Sequence, residues 1–262
     1  MRSSFLLVIV FIISVFSGCT GEQPKEPAFQ LKEFNSAYMH LVIDSRLYCS
    51  LIEYKDGKVS KVIHKNSVGQ SIPTITGYIE VDPIDSYHEF SYSGNVVEVI
   101  KKIDSDEIQE TQEKIQLTLD EKGRIIKRIE NNKDTTEYFY SENGLLDKSI
   151  RRNGSARTIT KTFFFDSNNN LIKTKEEGDK YFDIDCYRIE SFENYDTGIN
   201  GFKNLGIVEG AFFRSLSQNN FNLYSRTTHN ANNRQILEEI RIAKPVTYDD
   251  KGHPIYGDCI ME

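Results

Sequence analysis

Along most of the chain apolar and polar side chains alternate with a period of two, the spacing of a strand with one face buried. In Thr135-Thr136-Glu137-Tyr138-Phe139-Tyr140 one parity presents Thr136, Tyr138 and Tyr140, and the other Thr135, Glu137 and Phe139. In the run from Thr158 to Phe165 the inward set is Ile159, Phe163 and Phe165, interrupted by Lys161. Ile115, Leu117 and Leu119 continue the pattern, followed by Ile125 and either Lys127 or the offset pair Ile126 and Arg128. Between such runs a turn recurs. It reads Tyr54-Lys55-Asp56-Gly57-Lys58-Val59, Tyr92-Ser93-Gly94-Asn95-Val96, Leu119-Asp120-Glu121-Lys122-Gly123-Arg124-Ile125, Tyr140-Ser141-Glu142-Asn143-Gly144-Leu145, Phe165-Asp166-Ser167-Asn168-Asn169-Asn170-Leu171 and Tyr248-Asp249-Asp250-Lys251-Gly252. An aromatic closes one strand, Asp or Ser bonds nearby amides, Gly or Asn takes positive φ, and an aliphatic opens the return strand.

Spacings of 21 and 25 residues separate Asp120, Ser141 and Asp166, the length of a hairpin repeat. The expected fold is therefore mainly β: a long antiparallel meander of hairpins, as a curved open sheet or partial barrel, with one or two short helices. β-Branched and aromatic residues at period two argue against a helical protein. Residues 31–262 read as a single β-rich domain, with a small N-terminal subdomain at 31–110 left open because that region is less regular. Ala37 to Leu47 is a short helix candidate, and Gly69 to Pro83 reads as loop and strand. Lys203 to Leu216 is the best later helix, with Leu205, Val208, Phe212 and Leu216 on one stripe. Asn219 to Asn233 is then a polar connection to the final strands.

The first 18 residues stand apart. Phe5 to Phe16 is an apolar run too short for a membrane span and suited to a signal peptide, and Ser17-Gly18-Cys19 follows it directly. This resembles the lipobox of bacterial lipoproteins, with Phe16 where Leu is usual. The resemblance implies removal of residues 1–18 and lipidation of Cys19, and residues 19–30 become a polar, Pro-containing tether. Two or three acyl chains give stable membrane attachment.

The turns resemble YD-type repeats, the Tyr-Asp/Asn-x-x-Gly-x-Leu pattern of exported bacterial β-sheet proteins. Tyr140, Gly144 and Leu145 fit one copy, and Tyr248, Asp249 and Gly252 the last; Asn replaces Gly in the copy at Phe165, and that at Tyr92 is shortened. Over residues 45–260 the chain is similar to uncharacterised lipoproteins common in the Bacteroidetes. Their Tyr-Asp element corresponds to Tyr195-Asp196 without the following prolines, and their Asn-Asn segment to Asn219-Asn220. The resemblance implies a lipid-anchored protein of the bacterial cell envelope, at the outer membrane, with neither leaflet favoured by Thr20-Gly21-Glu22-Gln23.

With 32 basic and 39 acidic residues the chain carries a formal charge of −7, and loss of Arg2 with the leader makes it more acidic. That argues against nucleic acid as a partner. The acidic run Asp104, Asp106, Glu107, Glu110 and Glu113 reads as a solvated strand end and turn. Cys49, Cys186 and Cys259 lack zinc-ligand spacing. Cys186 with Cys259 is the preferred disulfide, with three buried thiols as the alternative. His40, His64, His88, His229 and His253 are dispersed, without HxH or HExxH. There is no nucleophile elbow, phosphate loop or dinucleotide fingerprint. No catalytic, metal or cofactor residue is thus assigned, and no cofactor is expected.

The remaining candidate surface is aromatic. Tyr195, Phe202, Phe212, Phe213, Phe221 and Tyr224 lie in a segment rich in Asn and Gly, a mixture able to stack on and hydrogen-bond to sugar or peptide. The aromatic turn residues Tyr54, Tyr92, Tyr140, Phe165 and Tyr248 read instead as sheet cover. The expected function is a non-catalytic binding or scaffold module for a glycan, a peptide or an envelope protein. The alternatives are a glycan-directed hydrolase, which requires two suitably spaced carboxylates or a nucleophile beside a base, and a lipid or lipoprotein carrier, which requires an apolar cavity.

Overall fold

The computed structural model describes residues 29–35, 48–66, 71–74, 77–80, 85–104, 113–153, 157–181, 184–242 and 245–256. Fourteen strands form one open antiparallel sheet. In chain order the strands are β1 (Glu33–Asn35), β2 (Tyr48–Lys55), β3 (Lys58–Asn66), β4 (Ser71–Thr74), β5 (Gly77–Glu80), β6 (Asp85–Ser93), β7 (Val96–Asp104), β8 (Glu113–Leu119) and β9 (Ile125–Glu130). They continue with β10 (Asp134–Tyr140), β11 (Leu146–Asn153), β12 (Arg157–Phe165), β13 (Leu171–Tyr181), β14 (Ile184–Tyr195), the short helix α1 (Phe212–Ser215), β15 (Phe221–Asn230), β16 (Gln235–Ile242), β17 (Thr247–Tyr248) and β18 (Pro254–Ile255). Each strand pairs with its sequence neighbours, except that β4 and β5 form a separate hairpin between β3 and β6, and β17 with β18 forms another at the C-terminus. The mainly β meander expected from the periodicity is the observed architecture.

The repeated turn has one physical construction. Asp120 Oδ1 accepts from the amides of Lys122 and Arg124, Asp166 Oδ1 from those of Asn168 and Asn170, and Asp249 Oδ1 from those of Lys251 and His253. Asn230 repeats the arrangement with Asn232 and Arg234, a copy missed because His229 stands where the other turns carry an aromatic or Leu. The fourth residue of the turn takes positive φ: Gly123 at 76°, Asn169 at 62°, Asn233 at 61° and Gly252 at 77°. Asn substitutes for Gly here because its short polar side chain tolerates the left-handed region.

The two apolar ends of the turn face inward together. Tyr54 pairs with Val59, Tyr140 with Leu146 and Phe165 with Leu171, and a register shift follows in each case. The same shift between Thr118 and Leu119 pairs Leu119 with Ile125 and Leu117 with Arg128. Ile125 and Arg128 therefore share the inward face while Ile126 and Lys127 are exposed, which settles the two registers left open by the sequence. A bulge adds one residue to one strand and turns the following side chains over. Ile126 and Ile172 are exposed for that reason rather than as a defect of the pattern.

The turn tyrosines also tie the sheet end together. Tyr54, Tyr92, Tyr140 and Tyr195 donate their hydroxyls to the carbonyls of Leu31, Val59, Ile125 and Leu171, each near the start of an earlier strand. Burial pushes the Tyr54 and Tyr92 phenols up to about 12, so they remain donors at neutral pH. The sheet-cover role read from the sequence holds for Tyr54, Tyr92, Tyr140 and Phe165, which pack against the core clusters.

One face of the sheet is covered by residues 196–220, the excursion between β14 and β15. The expected helix over Lys203 to Leu216 is mostly a chain of turns, with α1 confined to its last part. Leu205 and Val208 are buried as the stripe required, against Phe34, Val62, Val97 and Leu117 of the sheet. Glycine spacing explains the departure from helix: Gly201, Gly206 and Gly210 interrupt it, and glycine lowers helix stability. The segment Asn219 to Asn233 is a correction, because most of it forms β15. Phe221, Tyr224 and Thr228 are its buried residues; Tyr224 and Thr228 share one parity and Phe221 has the other, so simple alternation overlooks the strand.

The Tyr-Asp and Asn-Asn elements meet at the root of the covering segment. Asp196 Oδ1 accepts from the amides of Gly198 and Asn220, and Tyr248 donates its hydroxyl to Asp196 Oδ2. Asn220 Oδ1 accepts from the Tyr256 hydroxyl at 2.6 Å, which in turn accepts from the Gly201 amide at 2.8 Å. A Cβ on Gly201 would lie 2.9 Å from Pro254 and Tyr256 atoms, so the residue is glycine by close approach. Cys49 is engaged in a disulfide, and Cys186 is buried. Cys259, expected as the partner of Cys186, lies outside the described residues, as do Cys19, the leader, the tether to residue 28 and the helix candidate Ala37 to Leu47.

Candidate functional site

The covering segment leaves a recess on either side of it. The larger, about 740 Å³, lies at the turn end of the sheet, between residues such as Tyr92, Asp120, Arg124 and Tyr140 and the far side of the segment at Lys203 and Phe212. The smaller, about 270 Å³, lies over the middle of the sheet, between β9 to β13 and residues 206–213. The smaller recess concentrates the chemistry.

Strand register dictates its floor. Arg128, Thr136, Arg151 and Ile159 are directly opposed across β9, β10, β11 and β12, and Tyr138, Ser149, Lys161 and Glu176 form the next row across β10 to β13. Directly opposed residues share a face. Alternation therefore places a polar row where the sequence suggests only interrupted apolar stripes. The interruption noticed at Lys161 is the visible part of this row.

Most charges around the floor are held in pairs. Lys161 Nζ lies 2.8 Å from Glu190 and 3.2 Å from Glu176. Glu190 also accepts from Thr174 Oγ1 at 2.6 Å and the Tyr224 hydroxyl at 3.1 Å, and Glu176 from Arg188 at 3.0 Å. Arg128 contacts Glu130 at 2.7 Å and Glu209 at 3.3 Å, and Lys101 contacts Glu209 at 2.6 Å. Burial raises the affinity of Glu209 for a proton, but Arg128 and Lys101 outweigh it and hold the carboxyl below its usual range. Glu209 is thus ionised at neutral pH.

A different set has no hydrogen bond or ion pair among the described residues. The hydroxyls of Thr136, Tyr138 and Ser149 and the guanidinium of Arg151 all line the recess in this state. Burial pushes the Tyr138 phenol up, keeping it neutral. Arg151 is exposed and stands at the rim. Phe213 forms part of the wall, with Lys161 Nζ 4.9 Å from its ring centroid.

The six aromatics expected to form a ligand surface are placed otherwise. Phe202, Phe221 and Tyr224 are buried, and Tyr195, Phe212 and Phe213 are partly buried against the same core clusters. Phe192 gathers Phe213, Phe221 and Tyr224 within ring contact. Aromatic content alone signalled the segment that covers the sheet, not a ligand-facing surface. Phe212 and Phe213 nevertheless reach the smaller recess.

The fold also brings together two histidines dispersed in sequence. His64 on β3 and His88 on β6 have ring centroids 4.8 Å apart, and Ser50 Oγ lies 2.8 Å from His64 Nδ1. Ser50 has no exposed surface, so this hydroxyl is a structural partner and not a nucleophile open to substrate. Burial lowers His64 to about 4, with Glu209 opposing and Lys101 adding to the effect. His88 falls to about 3 through burial, then repulsion from His64 and Lys101. Among the described residues no group of three or more His, Cys, Asp and Glu is arranged to hold a metal ion.

These histidines set an acid limit on stability. They are neutral in the native state, whereas unfolded imidazoles protonate below about 6.5. Their contribution is complete above that pH and falls as the pH drops toward about 4 for His64 and about 3 for His88. Melting temperatures measured across this range should decline for the native chain and flatten for His64→Asn/His88→Gln. An unchanged slope in the double variant would assign the decline to other groups.

No protein-family model matches the chain, and no curated protein does. A solved structure described as a porin-like protein from Bacteroides uniformis ATCC 8492 aligns over 85% of this chain and 86% of its own, with 11% identity and a TM-score of 0.49. A likeness at that level carries no argument about function or location. The chemistry of the recesses has to stand on its own residues.

Proposed function

We propose that the chain is a lipid-anchored module of the bacterial cell envelope, attached to the outer membrane through Cys19, whose sheet binds a glycan without transforming it. The observation that carries the binding reading is the smaller recess, where a polar floor presents uncommitted hydroxyls and one uncommitted guanidinium beside paired charges. A concave site with a few convergent polar groups is the usual form of a small-ligand site. The lipobox-like Ser17-Gly18-Cys19 supports the anchor.

The hydrolase reading has weaker support. A glycosidase needs a carboxylic acid whose pKa is raised so that it can protonate the leaving group. Glu209 is shifted the other way, and Glu130 and Glu176 each sit against a cation. The carrier reading has weaker support as well: over the sheet the covering segment fills the face with Phe202, Leu205, Val208 and Ala211, and the larger recess at the turn end mixes the charged Asp120, Arg124 and Lys203 with its apolar lining.

Two measurements test the proposal. Cys19→Ala should move the protein from the membrane to the soluble fraction, and labelled oligosaccharides incubated with the chain should be retained and recovered at their original length. Shortened oligosaccharides would contradict the non-catalytic reading, and unchanged membrane association of the variant would contradict the lipid anchor.

A further inference from the structure

Resting on the reading of the smaller recess as a glycan site, we infer that its ligand carries a carboxylate: a uronic-acid residue of an anionic polysaccharide, bound by Arg151 with Thr136, Ser149 and Tyr138.

The unpaired guanidinium at the rim selects the anion. Lys161, Arg128 and Lys101 already face carboxylates at 2.6 to 3.3 Å, so their charge is locally answered. Arg151 makes no ion pair or hydrogen bond among the described residues and lies at the open rim. A guanidinium presents a planar fork of donors that matches a carboxylate bidentately. The incoming group finds a cation whose partner is missing rather than one it has to take from a protein glutamate.

The three hydroxyls select a hydroxylated ring. Thr136 is directly opposite Arg151 in the β10–β11 register, and Tyr138 is directly opposite Ser149. The four groups thus make a tile two residues wide and two strands across, with Arg151 at one corner. Each hydroxyl both donates and accepts, as the vicinal hydroxyls of a sugar require. Phe213 and the ring of Tyr138 supply apolar surface beside the tile for the C–H faces of the ring. A cavity near 270 Å³ is at the small end of ligand sites, which fits one ring of a longer polymer leaving through the open side. An extended acidic peptide offers a carboxylate but no ring of hydroxyls for the other three groups.

The test is calorimetric titration of the full chain in detergent with digalacturonate, its dimethyl ester, a neutral disaccharide and a Glu-rich peptide. Digalacturonate should bind saturably, and both esterification and Arg151→Gln should weaken binding by about tenfold or more, the loss of a charge-assisted contact. Arg151→Lys should retain part of the affinity. Thr136→Val should weaken acid and ester alike, because it removes a contact to the ring. Arg152→Gln, on the opposite parity and paired with Glu137, serves as the control and should leave binding unchanged. Equal affinity for acid and ester, or indifference to Arg151→Gln, would overturn the inference. Binding of the neutral disaccharide alone would overturn the carboxylate while leaving the glycan-module reading intact. Arg151-dependent binding of the peptide in place of the sugar, or no saturable binding of digalacturonate at millimolar concentration, would also overturn it. Matching circular dichroism and melting profiles for each variant separate these outcomes from misfolding.

Discussion

Arg214→Ala is expected to destabilise the protein by about 3 to 5 kcal/mol, through a cavity and an orphaned carbonyl in the same place. Arg214 is 2% exposed, the bulkiest of the fully buried side chains. Its guanidinium donates to the Phe221 carbonyl at 3.0 Å and lies 4.0 Å over the Phe221 ring and 5.6 Å from that of Phe202. Its own carbonyl accepts from Asn200 Nδ2 at 2.7 Å. One residue therefore fastens the covering segment to Phe221, the first residue of β15, and joins the two core clusters. Arg214→Lys keeps a charge but loses the planar stack, and should recover only part of the stability. Urea titration followed by tyrosine fluorescence measures both. A loss below about 1 kcal/mol for Arg214→Ala would show that the segment is held without this anchor.

Glu190→Ala is expected to cost a similar amount, about 3 to 5 kcal/mol, because it leaves buried donors without their acceptor. Lys161, Thr174 and Tyr224 all address this carboxylate. The double variant Lys161→Met/Glu190→Leu should regain part of the loss, since it removes the uncompensated charge while the Thr174 and Tyr224 hydroxyls still lack their acceptor. A double-mutant cycle on urea midpoints reads the coupling directly. If the double variant is no more stable than Glu190→Ala, the pair is not the source of the loss. Burial opposes the charge on Lys161, but Glu190 and Glu176 more than offset it and raise its pKa above the ordinary lysine value. Its contribution is therefore complete below about 10.4 and lost as pH rises through the higher native value.

The sequence made the meander legible because its turns obey local rules. Asp120, Asp166 and Asp249 close their loops with their own side chains, and a residue at positive φ follows each. Tyr54, Tyr140 and Phe165 mark strand ends for the same local reason. The covering segment was harder to read, because Leu205, Val208 and Phe212 have helical spacing whether or not a helix forms. The structure resolves them into turns held by distant groups: Asn200 on the Arg214 and Ser217 carbonyls, and Tyr256 on Gly201 and Asn220. Such contacts have no signature in a local window.

The recess escaped notice for a related reason. Thr136, Tyr138, Ser149 and Arg151 are ordinary strand residues until register places them opposite one another. Register across four strands depends on each intervening bulge, and one shifted residue would turn the set to the other face. The aromatic cluster at 195–224 drew attention instead because composition is visible without register. In the fold those rings hold the cover in place, and the polar floor beneath it is the proposed binding surface.

Hydrogen–deuterium exchange of the full chain in detergent, with and without fragments of anionic and neutral polysaccharides, tests the central claim most directly. A ligand seated in the smaller recess should slow exchange in residues 134–140, 146–153 and 206–213 together, leaving the turns at 119–124 and 142–145 unchanged. Protection confined to those turns, or none with any fragment, would contradict the assignment of the recess as the binding site.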